Sequence, residues 1–372
     1  MRKPIIAITG SAGKTTTKEM LASILSQRWR TFKSFENGND AWFISQYMKQ
    51  IKAADQAIVL EYGMKMKGDI RSHCRLIKPW IGIITNIGKA HIGNFKDGIL
   101  GIAAAKSELI HGMDPSGILF INRDDKNSRL LHIKSFKGKV FYIGIHGPGD
   151  YRAKKIAYTS NGMKFSVRLN GITRVFNIPC FGECNVYNAL FAIAVSHQLG
   201  CSTPEIRTGL KKMEKPYARL SIKRTVKSII IDDSFNTKPE LEPAMEVLER
   251  IGVGNQRKIA VLADIRDLGK YAKSIHLAQG RKLAKKGLYR LYTYGLYSKY
   301  LGIGAMESGL PLKRVKHFTD INNLKKQLSK DLGQNSVFLV KGSTNGQKVK
   351  MMHVVEWMLR KGNRMRKIGS SS

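Results

Sequence analysis

Near the start of the chain, Ile5 to Met20 reads IIAITGSAGKTTTKEM, and few folds accommodate that order of residues. A β-branched run stops at Thr9-Gly10, a turn Ser11-Ala12-Gly13 follows, and from Lys14 onward Met20, Leu21, Ile24 and Leu25 recur on one helical face. The pattern is strand, glycine turn, helix. Gly10 and Gly13 allow a tight backbone turn, and the helix start offers N–H groups and its positive dipole end to an anion. Lys14 is then placed to reach outer phosphates and Thr15 to meet Mg²⁺ through its hydroxyl, with Ser11, Ala12 and Thr16 completing the cradle. Two residues separate the glycines, where the general phosphate loop has four. An ordinary strand-to-helix turn is the alternative. The Gly-Lys-Thr-Thr string between a strand and a helix favours a nucleotide phosphate loop.

A chain of 372 residues is long for one core and points to two domains, and its 42% hydrophobic content excludes wholesale disorder. Cys74, Cys180, Cys184 and Cys201 have no metal-ligand spacing and read as buried thiols in a reducing compartment. No apolar run approaches the roughly 18 residues of a membrane span, and Arg2-Lys3 leads into a strand rather than a signal peptide. A cytoplasmic monomer is expected. The phosphate loop begins so early that no domain is expected before it. The formal net charge is +37, from 64 Lys and Arg against 27 Asp and Glu, a field that favours polyanions. The charges are spread along the whole chain, without a recognition helix, zinc finger or aromatic-basic platform, so nucleic acid is not the expected partner. A uniformly basic solvated surface explains the composition as well as a dedicated anion site does.

Further along, Phe35 to Asn39 is a polar turn, and Ala57 to Glu61 is a buried-type strand ending in an acid. Glu61, at the carboxyl end of a parallel strand beside the phosphate loop, can hold Mg²⁺ or serve as a rim carboxylate. The strand Ile81–Asn86 leads to a loop carrying His91, which can ligate metal, touch phosphate or merely be solvated. A helix over 103–110 carries Lys106 and Glu108, and Gly117 to Asn122 is a strand. Phe141 to Ile143 reads as a strand at the sheet margin. The alternating runs between Asp150 and Pro179, broken by two Asn-Gly pairs, suggest a small antiparallel insertion. Asn185 and Asn188, three apart at a helix start, can offer amides to a base or ribose, or cap the helix. A second α/β unit starts near 210–219, with strands at 228–233, 258–264, 288–294, 315–318 and 337–340. Arg360, Lys361, Arg364, Arg366 and Lys367 then make a basic frayed end, open to an anionic partner or solvated.

Taken in order, these segments resemble the Mur ligase family, ATP-dependent amide-bond ligases of cell-wall precursor synthesis, and within it the branch that adds a dipeptide. The matching strings are ITGSAGKTTTKEM from Ile8, EYGMKMKGDI from Glu61, TNIGKAHIGNF from Thr85 and AAKSELI from Ala104. NRDD from Asn122, FGECNVYNAL from Phe181, DDSFNTKP from Asp232, ADIRDLG from Ala263 and KGS from Lys341 follow, together spanning nearly the entire chain. The resemblance implies an α/β fold: a P-loop ATPase-like domain over residues 1–217, with a mostly parallel sheet and a small antiparallel section, then a Rossmann-like domain over 218–372.

It also implies the chemistry. The γ-phosphoryl of ATP activates a carboxylate as an acyl phosphate, an amino-acid or dipeptide amine displaces the phosphate, and ADP is released. Lys14 would bind the outer phosphates, Thr15 and Glu61 one Mg²⁺, and His91 a second Mg²⁺ with Lys106 carried as a carbamate. Asn188 would sit on the adenine side, and Arg219 and Asp233 would bind nucleotide as the second domain closes. Asn86 falls on the substrate side, with Asn236 and Lys341-Gly342-Ser343 at the incoming amine. The family's uridine-diphosphate-recognising N-terminal domain is not expected ahead of the phosphate loop, so the anionic carboxylate substrate is expected to be smaller or differently anchored than the cell-wall precursor. Lys65 and Lys67 after Glu61, and Thr237-Lys238 near the amine site, also depart from the family pattern. Retained catalysis with altered specificity is expected. The competing readings are a polyglutamate-type ligase and a basic P-loop ATPase stimulated by nucleic acid. A non-catalytic binding role is disfavoured by the presence of Lys14, Thr15, Glu61 and His91.

Overall fold

The computed structural model describes residues 3–235, 239–342 and 350–368. The chain divides into two compact units, residues 1–216 and 217–372.

The first unit runs β1 (Ile5–Thr9), α1 (Lys14–Leu25), β2 (Thr31–Lys33), α2 (Ala41–Gln50), β3 (Ala57–Glu61), α3 (Asp69–Leu76), β4 (Ile81–Ile84), α4 (Ile99–Gly112) and β5 (Ile118–Asn122). It continues through β6 (Lys139–Gly144), β7 (Tyr151–Thr159), β8 (Gly162–Leu169), β9 (Ile172–Ile178), α5 (Glu183–Gln198) and α6 (Thr203–Lys212). One nine-stranded sheet has the order β2-β3-β1-β4-β5-β6-β7-β8-β9. Strands β1 to β6 pair in parallel, and β7, β8 and β9 pair antiparallel. The β-branched strands β1, β3 and β4 are almost wholly buried, as strands covered on both faces must be. The chain leaves β1 to one side for β2 and β3, then returns to the other for β4. That reversal opens a crevice at the carboxyl ends of β1, β3 and β4, where open α/β sheets bind ligands.

Helix α1 buries the face expected of it: Met20, Leu21, Ile24 and Leu25 are fully buried, each contributing roughly 2 kcal/mol. The apolar α5 lies in the same core cluster as α1. Helix α6 starts in a capping box between Ser202 and Glu205, and its Gly209 approaches so closely that an added Cβ would lie 2.3 Å from Ile24 Cα.

Two expectations change here. The strand containing Phe141 to Ile143 is internal, with β5 on one side and β7 on the other, because β7 joins it in parallel at Ile143–Tyr151. The antiparallel section accordingly extends the main sheet and is not an insertion upon it. Of the four free thiols, Cys74 and Cys201 are buried while Cys180 and Cys184 are half-buried. Burial pushes the Cys74 thiol up to about 12 and those of Cys180 and Cys201 up to about 11, which leaves them unreactive.

The second unit contains β10 (Ser221–Arg224), β11 (Ser228–Asp233), α7 (Glu242–Ile251), β12 (Arg257–Ala263), α8 (Ala272–Leu283), β13 (Arg290–Tyr294) and α9 (Lys299–Glu307). It ends with β14 (Val315–Phe318), α10 (Ile321–Asp331), β15 (Ser336–Lys341) and α11 (Met351–Ile368). Its sheet order is β10-β11-β15-β12-β13-β14, parallel except for β10 against β11. Leu324, Leu328, Val354, Val355 and Met358 pack with the strands in one buried cluster. Arg360, Lys361 and Arg364 continue α11 rather than fraying from it. Among the described residues no helix is long and apolar enough to cross a membrane.

Candidate active site

The loop after β1 closes over the end of β4 through a set of short contacts. Ser11 N and Ala12 N donate to the Asn86 carbonyl (3.1 Å) and Asn86 Oδ1 (2.9 Å). Ser11 Oγ donates to the Gly88 carbonyl at 3.0 Å and accepts from Gly88 N at 2.8 Å, while Thr85 Oγ1 donates to the Ala12 carbonyl. Both glycines are obligatory. Gly10 has φ 146°, and a Cβ there would lie 1.8 Å from Thr85 Oγ1; Gly13 has φ 83°, and its Cβ would lie 2.2 Å from Asn188 Oδ1. Only residues without a side chain fit these two positions.

Helix α1 starts with no side-chain cap and no acidic residue in its first turn. A helix start left in that state suits an anion. Lys14 Nζ folds back to the Gly10 carbonyl at 3.0 Å, across the loop. Thr15 Oγ1 donates 2.8 Å to Glu61 Oε2, and both residues are buried. This contact follows from register: Ile8 pairs with Glu61, so the carboxylate emerges where β1 gives way to the loop.

The sequence missed the other partner of Glu61. Asn39 Nδ2 donates 2.7 Å to Glu61 Oε1, and Ser34 Oγ accepts from Glu61 N at 2.9 Å. An asparagine directly before the Asp40 helix cap was the available signal, but FENGN read only as a turn. Asp125 was also missed. It accepts from Ile87 N at 2.7 Å, and Asn127 donates to the Ile87 carbonyl at 2.8 Å, so the turn after β5 fixes the segment that follows Asn86.

His91 is half-buried at φ 63°, immediately before a short 3-10 turn, Ile92–Asn94. Lys106 is buried on α4 at 2% exposure. Asn188 is buried behind Gly13, accepting from Thr17 Oγ1 at 3.3 Å and donating to Asn185 Oδ1 at 3.0 Å. Asn185 in turn donates to the Phe181 carbonyl at 2.7 Å, a backbone-holding task close to the capping alternative.

In the second unit, Arg219 lies over the Phe235 ring with its guanidinium carbon 4.9 Å from the centroid. Asp233 receives Lys341 Nζ at 2.6 Å, both largely buried, across the paired ends of β11 and β15. Gly342 packs so closely that a Cβ would lie 2.3 Å from Met351 Cγ. Asn236 and Ser343 lie outside the described residues, as do Thr237 and Lys238.

The oxygen set tests whether a divalent cation suits the first unit. A hydroxyl and a carboxylate converge at Thr15 and Glu61, both hard ligands. Among the described residues no group of three or more His, Cys, Asp and Glu side chains closes a cage. The fit rests on the oxygen pair itself: a hydroxyl and a carboxylate are donors Mg²⁺ accepts, with water and phosphate oxygens completing its shell. The residues fit.

A glycine-lysine loop on the switch point of a parallel sheet, with a hydroxyl and a carboxylate at its mouth, defines a P-loop nucleotide-dependent enzyme. Residues 8–196 match the Mur ligase middle domain. The UDP-N-acetylmuramoyl-tripeptide--D-alanyl-D-alanine ligase of Bacillus subtilis (strain 168) is 30% identical over 341 residues, covering 91% of this chain and 73% of that protein. MurF from Acinetobacter baumannii has a crystal structure similar at TM-score 0.85 and 29% identity, covering 95% of this chain and 76% of that one. A pseudomurein peptide ligase type C from Methanothermus fervidus has a similar fold at TM-score 0.73 and 18% identity, over 96% and 79% of the two chains. The chain belongs to the Mur ligase family, and it is an ATP-dependent, ADP-forming amide-bond ligase.

Proposed function

We propose that this ligase joins the carboxylate of UDP-N-acetylmuramoyl-tripeptide to the amine of D-alanyl-D-alanine, the substrates named for its Bacillus subtilis relative. The observation that carries the catalytic reading is the buried Thr15–Glu61 pair at the mouth of the Gly10–Thr16 loop. Direct condensation fails in water because a carboxylate oxygen leaves poorly. Transfer of the γ-phosphoryl of ATP to that oxygen supplies a good leaving group.

In this reading the loop N–H groups and Lys14 bind the outer phosphates, and Asn188 serves the nucleotide from behind Gly13. Thr15 and Glu61, and at a second position His91 and Lys106, would hold Mg²⁺, which would supply charge neutralisation for phosphoryl transfer. Lys106 is proposed to carry a carbamate, visible as an intact-mass increase of one carbon dioxide. Asn39 and Thr15 donate to the two oxygens of Glu61, which orients the carboxylate at the mouth of the loop. Asn86 orients the loop through Ala12 and borders the acceptor side. Arg219 and Asp233 are proposed as nucleotide-binding residues of the second unit, with Lys341, Gly342, Asn236 and Ser343 on the amine side. Dependence on ATP and free thiols suits a cytoplasmic location.

The test is reconstitution. With ATP, Mg²⁺ and both substrates, the expected product has the summed mass of the two minus one water, matched mole for mole by ADP and phosphate. ATP hydrolysis without an amide product, or hydrolysis stimulated by nucleic acid, would overturn the proposal.

A further inference from the structure

The segment between Glu61 and α3 is held by its backbone, while among the described residues the side chains of Lys65 and Lys67 have no hydrogen-bond or ion-pair partner. Gly63 N donates to the Asn39 carbonyl at 2.8 Å, next to the amide that grips Glu61. Asn94 Nδ2 donates to the Lys65 carbonyl at 3.0 Å, and Asn94 N donates to the His91 carbonyl at 3.0 Å. The loop therefore bridges the Glu61 side of the site and the His91 turn.

The nearby acids are committed to backbone. Asp69 Oδ2 accepts from Lys65 N at 2.7 Å and Met66 N at 2.9 Å; Glu108 accepts from Gly68 N at 2.7 Å and Arg71 N at 3.1 Å. Neither carboxylate pairs with a lysine of the loop. Lys65 and Lys67 are exposed and have no ion pair or side-chain hydrogen bond among the described residues, whereas Lys33 binds both Glu19 and Glu214. Two cations on a loop anchored at Gly63, Lys65, Met66 and Gly68, next to Glu61, repel one another until an anion arrives, and a loop so anchored loses little entropy in receiving it.

We propose that Lys65 and Lys67 are specificity-determining residues that select an acceptor bearing a second anionic group besides the carboxylate that reacts. This rests on the ligase reading given above. The second group is a spare carboxylate of the peptide or the diphosphate of the nucleotide, and the two are separable by experiment.

The variants are Lys65→Gln/Lys67→Gln and Lys65→Arg/Lys67→Arg. The acceptors are UDP-N-acetylmuramoyl-tripeptide, the same molecule with its non-reacting carboxylates amidated, and the muramoyl-tripeptide without UDP. For the full acceptor the glutamine pair is expected to raise KM about tenfold, with kcat and ADP affinity changed less than about twofold, and the arginine pair to restore KM. The glutamine effect should vanish with the amidated acceptor if a carboxylate is recognised, and with the UDP-free one if the diphosphate is. A glutamine pair whose KM for the full acceptor stays within about twofold of wild type overturns the proposal. If the wild type makes no product from any muramoyl acceptor, the ligase substrates named above are wrong. Binding of γ-glutamyl-glutamate to the ADP-bound protein then decides: dependence on Lys65 and Lys67 upholds the lysine role, and independence or no binding overturns it.

Discussion

Replacing Gly13 by Ala tests whether the phosphate loop is shaped by the contact with Asn188. At φ 83° an alanine costs about 1–2 kcal/mol in backbone strain. Its Cβ would sit 2.2 Å from Asn188 Oδ1, so the amide must swing away and lose its bonds to Thr17 (3.3 Å) and Asn185 (3.0 Å). At about 1 kcal/mol for each buried hydrogen bond, the total is about 3–4 kcal/mol. Urea unfolding of four proteins separates these contributions: wild type, Gly13→Ala, Asn188→Ala and the double variant. With Asn188 truncated the obstruction is gone, so Gly13→Ala should cost only the backbone part, leaving a coupling of about 2 kcal/mol. ADP binding should stay impaired in the double variant. Equal costs of Gly13→Ala in both backgrounds, within about 0.5 kcal/mol, would refute the packing explanation.

Glu61→Gln keeps the shape of the side chain but removes its charge, and should lower kcat about a hundredfold or more while Mg²⁺-free ADP binding persists; an unchanged kcat would remove Glu61 from the metal site. Lys341→Met leaves the largely buried Asp233 without its 2.6 Å partner and should cost about 3 kcal/mol, whereas Asp233→Leu/Lys341→Met should recover most of it; a single-variant loss below about 1 kcal/mol would contradict this. His276 has both ring nitrogens committed, Nδ1 to the Ala272 carbonyl at 2.6 Å and Nε2 accepting from Ile265 N at 3.0 Å, so the structure requires a neutral ring. Burial lowers its pKa despite the opposing pull of Ala272 and Asp264. The folded state thus binds fewer protons than the unfolded one. Stability from this residue is present above about pH 6.5 and lost as pH falls toward the folded value. His276→Gln, which retains an acceptor without titrating, should flatten that slope in urea unfolding between pH 7 and 5, and an identical slope would dismiss the assignment.

What could be read from the sequence was local. Strand, glycine turn and helix at Ile5–Met20 follow from neighbouring residues, as do an acid at the end of β3 and a polar loop after β4. The sheet order was not legible. It depends on which strands pair across the unit, so Phe141–Ile143 looked marginal when the structure makes it internal. Asn39 escaped notice for a related reason: its partner lies 22 positions away, and a turn asparagine has the same local appearance whether or not it holds a carboxylate. Asn188 behaved differently. Its burial behind Gly13 joins two segments 171 positions apart at Thr17, a contact that explains the glycine better than turn preference alone. The two lysines after Glu61 stood out in sequence, but the reason to attend to them is structural: their neighbouring carboxylates are occupied by backbone N–H groups.

Oxygen-isotope transfer examines the chemistry most directly. If the acceptor carboxylate attacks the γ-phosphorus of ATP, one of its oxygens becomes the bridge of the acyl phosphate. When the amine displaces phosphate, the carbon–oxygen bond breaks and that oxygen leaves with phosphorus. With an ¹⁸O-labelled acceptor carboxylate, ADP-forming turnover should place one labelled oxygen in each inorganic phosphate released, in step with amide formation. Amide formed with unlabelled phosphate would contradict carboxylate activation at the Gly10–Thr16 loop.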